Sequence, residues 1–487
     1  MLPPARLSAI LAALLLAGCG PARDRIVEVA VIGEAEAPFV TGARLPVAAQ
    51  LLRSATAEGL VGFDERGRVI PALADRWIVT DDGLSYIFRL RDGTWPDKTP
   101  LTGESVRAAL LQAIATLRGT PLGEDLSAIA EIRAMAGRVV DIRLRQQQPD
   151  FLQLLAQPEL GLLRKGRGAG PMRMQREDQA ALLTPIPPED RGLPPIEGWN
   201  ERARKLRLVA LPASRAIARF NAGEVDVVLG GRLADFARLD ASGVSRGAIR
   251  LDPVAGLFGL VVAEPSGFLA EPENREALAM AIDREALATT LNVGGWAATT
   301  RIVNPGIGDD NGTVGERWPG QSLAERQAVA AARVARWAQG RAAPQLRIAL
   351  PPGPGSDRLF ARLSADFKAI GVEARQVPES ARADLRLIDT VARYPRAGWF
   401  LNQLSCTAMR GLCSAAADRL AARAFAEPDP GKRADLIAQA EAQLTITNSF
   451  IPFGQPIRWS LVSGATTGFM PNAWNIHPLL PLAMLPK

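Results

Sequence analysis

Residues 77–93 read WIVTDDGLSYIFRLRDG, two short apolar runs on either side of an Asp-Gly pair. From Leu84 to Leu90 apolar side chains return at every second position, which is the period of a half-buried strand. The Asp82-Gly83 pair is typical of a tight turn, because glycine readily adopts a positive φ. The stretch therefore predicts a β-hairpin whose first strand is residues 77–80.

A helix is predicted directly after this hairpin. Thr102 is the expected N-cap, and Glu104 falls in the first turn, where the helix dipole favours an anion. Apolar side chains then recur at helical spacing, at Val106, Leu110, Ile114 and Leu117. The chain thus passes from an antiparallel hairpin to an amphipathic helix.

The order of motifs around the hairpin carries a resemblance. EGL stands at residues 58–60, PALA at 71–74 and TPLT at 99–102, and NREALAMAIDR follows at 274–284. Together these motifs resemble the family 5 extracytoplasmic solute-binding proteins, which serve peptide and nickel ABC importers. In the last motif the residues also predict that Asp283 caps the helix that follows it.

The resemblance implies an α/β, periplasmic-binding-protein-like fold of type II, cluster C. It has two main lobes and an additional inserted domain around an interlobe cleft. The division it implies starts with a signal peptide (1–18). Lobe I is discontinuous (19–50, 161–249 and 456–487), the inserted domain is 51–160, and lobe II is 250–455. With 487 residues the chain is too long for a single core, in keeping with several lobes.

The N-terminus predicts an exported lipoprotein. An apolar run at Leu7–Leu16 is followed by LAGC at residues 16–19, which resembles a bacterial lipobox with Cys19 as the lipidated residue. The alternative is an ordinary secretory signal that happens to contain a cysteine. We expect a periplasmic body anchored by lipid to a bacterial membrane. The sequence does not decide between the inner and the outer membrane.

Composition excludes several classes of protein. The chain is 47% hydrophobic and 22% charged, which is typical of a folded globular protein. The net charge of +6 is small for this length, and no basic block is interleaved with aromatic residues. Nucleic acid is therefore not an expected partner.

The residues that enzymes or metal sites need are sparse. His477 is the only histidine, and it has no G-x-S-x-G serine motif to work with. Metal ligands do not occur at workable spacing. The glycine run at 166–171 is closed by a proline and does not follow a regular strand, so a dinucleotide loop is disfavoured. We expect no enzyme activity, no cofactor and no metal.

Cys406 and Cys413 are the two cysteines outside the N-terminal motif. An exported compartment is oxidising, so a disulfide between them is expected, with two free buried thiols as the alternative. So short a loop constrains the unfolded chain only slightly, and the bond would mainly shape a local loop.

The segment from Arg396 to Cys406 resembles the ligand-lining segment of the family. The resemblance implies ligand-binding roles for a group of residues within it, namely Arg396, Trp399, Phe400, Asn402 and Ser405. Plain core packing is the alternative for the two aromatic residues.

This segment departs from the peptide binders of the family, in which an acidic loop follows the tryptophan and pairs with the α-amino group of the peptide. The sequence between Asp389 and Asp418 contains no carboxylate. It does contain three arginines, Arg393, Arg396 and Arg410. Leaving a buried ammonium without a partner costs on the order of several kcal/mol. We therefore hypothesise that the protein is not a standard peptide binder; an anionic ligand, a neutral ligand and a ligand-free role stay open.

The function implied by the resemblance is the membrane-anchored substrate-binding component of an ABC importer. Such a component captures a small solute, peptide-like or other, in the interlobe cleft and delivers it to the permease. Its expected partners are the ABC permease and ATPase subunits, the ligand and the membrane, and we expect a monomer. The alternatives are a non-transport paralogue acting as envelope scaffold or sensor, and an envelope hydrolase.

Overall fold

The computed structural model describes residues 26–486. Its strands, in chain order, are β1 (Val27–Ile32), β2 (Val61–Phe63), β3 (Val69–Pro71), β4 (Ala74–Val79), β5 (Ser85–Leu90), β6 (Ile129–Met135), β7 (Val139–Leu144), β8 (Met172–Glu177), β9 (Ala180–Pro185), β10 (Leu206–Leu211), β11 (Val227–Arg232), β12 (Ile249–Leu251), β13 (Gly256–Val262), β14 (Gln345–Leu350), β15 (Glu373–Pro378), β16 (Leu385–Val391), β17 (Phe450–Gly454) and β18 (Arg458–Val462).

The α-helices alternate with these strands. In chain order they are α1 (Val47–Thr56), α2 (Gly103–Thr116), α3 (Pro121–Asp125), α4 (Phe151–Leu155), α5 (Trp199–Arg202), α6 (Ala213–Asn221), α7 (Leu233–Phe236), α8 (Pro272–Ala281), α9 (Arg284–Leu291), α10 (Leu323–Trp337), α11 (Pro354–Ala369), α12 (Ala397–Gln403), α13 (Ala415–Ala426), α14 (Pro430–Thr447) and α15 (Leu479–Leu482). The predicted signal peptide and Cys19 lie outside the described residues.

A seven-stranded sheet carries the first strand, in the order β12-β18-β11-β1-β10-β9-β8. β1 lies parallel to both β10 and β11, and its side chains contribute to two cores, Ala30 to one and three valines to the other. The C-terminal ends of β1 and β11 lead into residues 33–46 and the start of α7. In open α/β sheets this edge is where ligands bind.

A four-stranded antiparallel sheet contains the predicted hairpin, in the order β4-β5-β7-β6. Trp77 pairs with Phe88 in the register, and Phe88 is fully buried. The Oγ1 of Thr102 accepts a hydrogen bond from the backbone N–H of Ser105 at 3.2 Å, and α2 begins at the next residue. The predicted hairpin, the helix and its cap are all confirmed.

A five-stranded sheet is formed later in the chain, in the order β15-β14-β16-β13-β17. β14, α11 and β15 make a parallel β-α-β unit, as the sequence predicts. The Asp283 carboxylate accepts from the N–H of Ala286 at 2.9 Å, so it caps α9 as predicted. The buried Arg284 donates to the carbonyl of Pro452 at 2.7 Å, which gives it a structural role.

The hydrophobic core consists of three clusters, which join different pairs of elements. One cluster runs from Phe88 in the four-stranded sheet to Trp399 and Phe400 on α12. A second cluster joins the five-stranded sheet to residues of the seven-stranded one, and a third lies under α1. The α/β fold class predicted from the sequence is confirmed, with the open spaces of the molecule lying between the sheets.

Candidate functional site

A large cavity lies between the seven-stranded and five-stranded sheets, and we refer to it as the interlobe cleft. Its volume is about 1140 Å³. One wall comes from residues 32–50 and 230–235, and the opposite wall from 379–393 and 399–410. A volume of this order suits a ligand of several tens of atoms.

A second cavity of about 470 Å³ lies between the four-stranded sheet and helices α12 to α14, and we refer to it as the distal cavity. Its lining comes from residues 124–150 on one side and 394–437 on the other. The two cavities share α12 as a wall, because residues of this helix line both.

Helix α12 divides the residues that the sequence groups into one site. Trp399 lines the interlobe cleft, whereas Arg396, Asn402 and Ser405 line the distal cavity. Phe400 lies in the hydrophobic core and lines neither cavity. The reason is helical geometry: Trp399 and Gln403 are four positions apart and share one face, while Asn402 points to another. The structure thus places the predicted residues at two cavities on opposite faces of one helix, and their role in binding a ligand stays a prediction.

Trp399 is completely buried, yet it borders the cleft. Its ring packs edge-on against Phe400, with 5.1 Å between the ring centroids. Its indole Nε1–H has no hydrogen-bond partner among the described residues. A buried N–H without an acceptor is destabilising, so this donor stands out among the groups that border the cleft.

Arginine side chains that the sequence did not assign to a site line the same cleft. Arg44 follows β1, Arg232 ends β11, and Arg410 stands in the loop after α12. Nη2 of Arg410 donates a hydrogen bond to Oε1 of Gln403 at 2.6 Å. Burial, and then the like charges of Arg44 and Arg393, lower the pKa of Arg410. The clustered arginines of 389–418 were the only signal in the sequence that pointed toward this arrangement.

An ion pair crosses the floor of the cleft. Arg393 donates to both carboxylate oxygens of Glu159, at 2.8 and 3.1 Å, and to Gln157 at 2.7 Å. Burial raises the pKa of Glu159, but the charge and hydrogen bonds of Arg393 outweigh it and hold the pKa below its ordinary value. The pair fixes Arg393 and links the end of β16 to the segment after α4.

A disulfide joins Cys406 to Cys413 and closes the loop that carries Arg410. The N–H of Leu412 donates to the carbonyl of Val262 at 2.7 Å, which docks the loop onto the end of β13. A Cβ on Gly411 would lie only 2.4 Å from that carbonyl, so glycine permits the close approach. The bond therefore shapes the part of the chain that presents Arg410 to the cleft.

The distal cavity contains a buried carboxylate. Oδ1 of Asp125 accepts from Tyr394 at 2.9 Å and from Asn402 at 2.8 Å, while Oδ2 has no partner in the described chain. Burial raises the pKa of Asp125 to about 6. Arg396 is held by Asp150 at 2.6 Å and by Asp309 at 3.2 Å, so its guanidinium is already paired.

Within residues 26–486 no group of three or more His, Cys, Asp or Glu side chains is arranged to hold a metal ion. His477 is buried, stacks on Phe469 and lies 3.1 Å from Asp252, away from both cavities. None of the helices described is both long and apolar enough to span a bilayer.

The comparisons with solved structures concern the fold. The chain superposes on Haemophilus influenzae OppA in complex with RPPGFSPFR with a TM-score of 0.80, at 17% identity over 95% of this chain and 100% of that one. The Escherichia coli murein tripeptide binding protein MppA matches with a TM-score of 0.80 at 17% identity, over 96% and 99%. NikZ from Campylobacter jejuni in complex with Ni(L-His) gives 0.74 at 17% identity, over 92% and 96%. The architecture is the type II periplasmic-binding-protein fold.

The sequence comparisons concern one part of the chain. Residues 68–179 match the family model described as "Bacterial extracellular solute-binding proteins, family 5 Middle". The probable deoxycholate-binding periplasmic protein YgiS of E. coli is 32% identical over 122 residues, 21% of this chain and 23% of that protein. The glutathione-binding protein GsiB of E. coli K12 is 29% identical over 107 residues, 22% and 21%. These matches span less than a quarter of either relative, and with the fold they confirm the predicted resemblance to the family 5 solute-binding proteins.

Proposed function

We propose that the protein is the substrate-binding component of an ABC importer, and that it captures a small solute in the interlobe cleft and delivers it to the permease and ATPase subunits. The observation that carries this proposal is the cleft of about 1140 Å³, whose walls come from two different sheets. A ligand that contacts both walls favours the closed arrangement, and its binding free energy is what shifts the population.

The predicted lobes are part of this proposal. Lobe I would comprise 19–50, 161–249 and 456–487, lobe II would comprise 250–455, and 51–160 would be the inserted domain. The shared core between Phe88 and Trp399 supports a unit in which the inserted domain and lobe II move together. Closure would then bring Arg44 and Arg232 toward the wall that carries Trp399.

The proposal includes export and anchoring. Residues 1–18 would be removed and Cys19 lipidated, leaving a monomeric periplasmic body tethered to a membrane. Each buried acyl methylene contributes about 0.8 kcal/mol, so several chains make a stable anchor. A Cys19→Ser variant should appear in the soluble periplasmic fraction without the lipid mass; the same membrane retention as the unmodified protein would contradict the anchor.

Native mass spectrometry of the protein purified from its own host tests the capture of a solute. We expect a folded species carrying a small molecule that is lost when the protein is partly unfolded. Small-angle X-ray scattering before and after removal of the ligand should show an increase in radius of gyration as the lobes open. A ligand-free mass together with an unchanged radius of gyration would refute the proposal.

Isothermal calorimetry tests the hypothesis that the protein is not a standard peptide binder. The wall around Trp399 carries Arg393 and Arg410, and Glu159 is already paired with Arg393. The cleft carboxylates without an ion-pair partner in the described chain, Glu34 and Glu379, are exposed to solvent, where pairing with a peptide α-ammonium contributes little. Micromolar binding of free di- to pentapeptides would refute the hypothesis, and the wider proposal of solute capture would stand.

A further inference from the structure

The interlobe cleft is lined by arginine side chains from both walls and by Trp399, whose buried Nε1–H has no partner in the described chain. Arg44 belongs to the wall that follows β1, whereas Arg410 belongs to the disulfide loop on the opposite wall. The positive charges of Arg44 and Arg393 both act on Arg410, so these three guanidinium groups form one cluster. We refer to them as the cleft arginines.

The hydrogen-bond partners of the cleft arginines differ. Arg393 is satisfied by Glu159 and Gln157. Arg410 makes a single side-chain bond, to the neutral Gln403. Among residues 26–486, Arg44 has neither a hydrogen bond nor an ion pair through its guanidinium group. A guanidinium presents five N–H donors, so two of the three groups retain most of theirs.

The carboxylates that line the cleft are mostly committed to other partners. Four of these carboxylates form ion pairs with an arginine: Glu36 with Arg176, Glu159 with Arg393, Asp235 with Arg238 and Asp389 with Arg458. Glu34 and Glu379 have no such partner in the described chain, and both are exposed to solvent. Neither Arg44 nor Arg410 forms an ion pair with a carboxylate of the described chain, and the two unpaired carboxylates of the cleft lie in solvent.

Trp399 supplies an independent observation at the same place. Its Nε1–H is buried, lacks a partner in the described chain and belongs to a residue that borders the cleft. An indole nitrogen is only a donor, so the group that satisfies it must be an acceptor. A cation or an ammonium group cannot do this, whereas a carbonyl oxygen or the oxygen of an anion can.

We propose that the interlobe cleft selects a ligand bearing an anionic group, a carboxylate or a phosphate ester, which binds between Arg44 and Arg410 and accepts from Trp399 Nε1–H. This inference rests on the proposed function, since it names the class of solute captured. Two like charges on opposite walls repel each other in the empty cleft. An anion between them removes this repulsion and adds charge-assisted hydrogen bonds, so it favours closure of the lobes.

Calorimetry with matched probes tests the charge of the ligand. Inorganic phosphate represents the phosphate class, and N-acetyl-trialanine represents the carboxylate class without an ammonium group. N-acetyl-trialanine amide is its neutral counterpart, and free trialanine adds the ammonium. We expect binding of phosphate, of N-acetyl-trialanine or of both, at least about tenfold tighter than binding of the amide. Equal affinity for acid and amide, tighter binding of free trialanine, or no binding of either anion would overturn the proposal.

Variants test whether the named residues hold the anion. Arg44→Ala and Arg410→Ala should each weaken binding of the anionic probe by about tenfold or more. Arg382→Ala is the matched control, because it removes an exposed arginine that is paired with Glu264 outside the cleft. Circular dichroism checks that each variant is folded. Unchanged affinity in the folded double variant Arg44→Ala/Arg410→Ala would also overturn the proposal.

The two proposals fail in different ways. If the protein from its host carries a neutral or cationic solute, the anion site is wrong and the proposed function stands. If neither a host solute nor any probe binds and the lobes do not close, both are wrong.

Discussion

The free energy of unfolding of the wild type should fall as the pH rises, because the buried carboxyl of Asp125 must ionise. Replacing Asp125 with asparagine should abolish this fall. Asp125 is 4% exposed, and its Oδ1 accepts from Tyr394 and Asn402 while Oδ2 has no partner in the described chain. Burial raises the pKa of this carboxyl to about 6, against those two hydrogen bonds and the charge of Arg393, and the nearby charge of Glu124 adds to the rise.

The magnitude follows from the difference between the two states. A shift of the Asp125 pKa from 3.8 to about 6 corresponds to about 3 kcal/mol, at about 1.4 kcal/mol per unit. Below a pH of about 4 the carboxyl is protonated in both states, so it costs nothing. As the pH rises, the folded state holds the proton more tightly than the unfolded state. The free energy of unfolding therefore falls through pH 4 to 6, and the loss is complete above about pH 7.

Urea unfolding of the wild type and Asp125→Asn, followed by tryptophan fluorescence from pH 4 to 8, measures this effect. The two proteins should have similar stability near pH 4, and the variant should be more stable by about 3 kcal/mol at pH 8. Asp81→Asn is the matched control, because Asp81 is exposed on the hairpin. Parallel curves for the wild type and Asp125→Asn, or a wild type that gains stability relative to the variant as the pH rises, would refute the reasoning.

Three further changes test the fold and the cleft. Glu159→Gln leaves the guanidinium of Arg393 without its bidentate partner and should lower the free energy of unfolding by about 3 kcal/mol at pH 7, measured by urea titration. Thr102→Ala removes the N-cap of α2 and should cost about 1 kcal/mol in the same assay. The double variant Cys406→Ser/Cys413→Ser should lose about 2 kcal/mol and bind the solute from its host more weakly, because the loop that carries Arg410 loosens; calorimetry checks the affinity.

Each of these has an outcome that would contradict it. A Glu159→Gln protein as stable as the wild type would mean that Arg393 finds another partner or water. No loss in Thr102→Ala would mean that another group satisfies the N–H of Ser105. Full affinity after removal of the disulfide would mean that the contact of Leu412 with Val262 is enough to position the loop.

The sequence determined the elements whose pattern is local. The hairpin of residues 77–90 and the cap at Thr102 follow from alternation, turn residues and hydrogen bonds between near neighbours. The cap at Asp283 belongs to the same kind of interaction. Ordered along the chain, these motifs also pointed to the family and to its α/β fold. Such patterns can be recognised in the sequence because each one depends on side chains within a few positions of each other.

The tertiary structure alone decided the composition of the site. Trp399 and Asn402 are three positions apart on α12, yet they line different cavities, because the helix separates the two cavities and the residues lie on different faces of it. Arg393 and Glu159 are separated by 234 positions and form an ion pair at 2.8 Å. Arg44 and Arg410 line the same cleft only because the packing of the sheets brings their loops to its opposite walls. No local pattern encodes such pairings, since they depend on how separate sheets pack together.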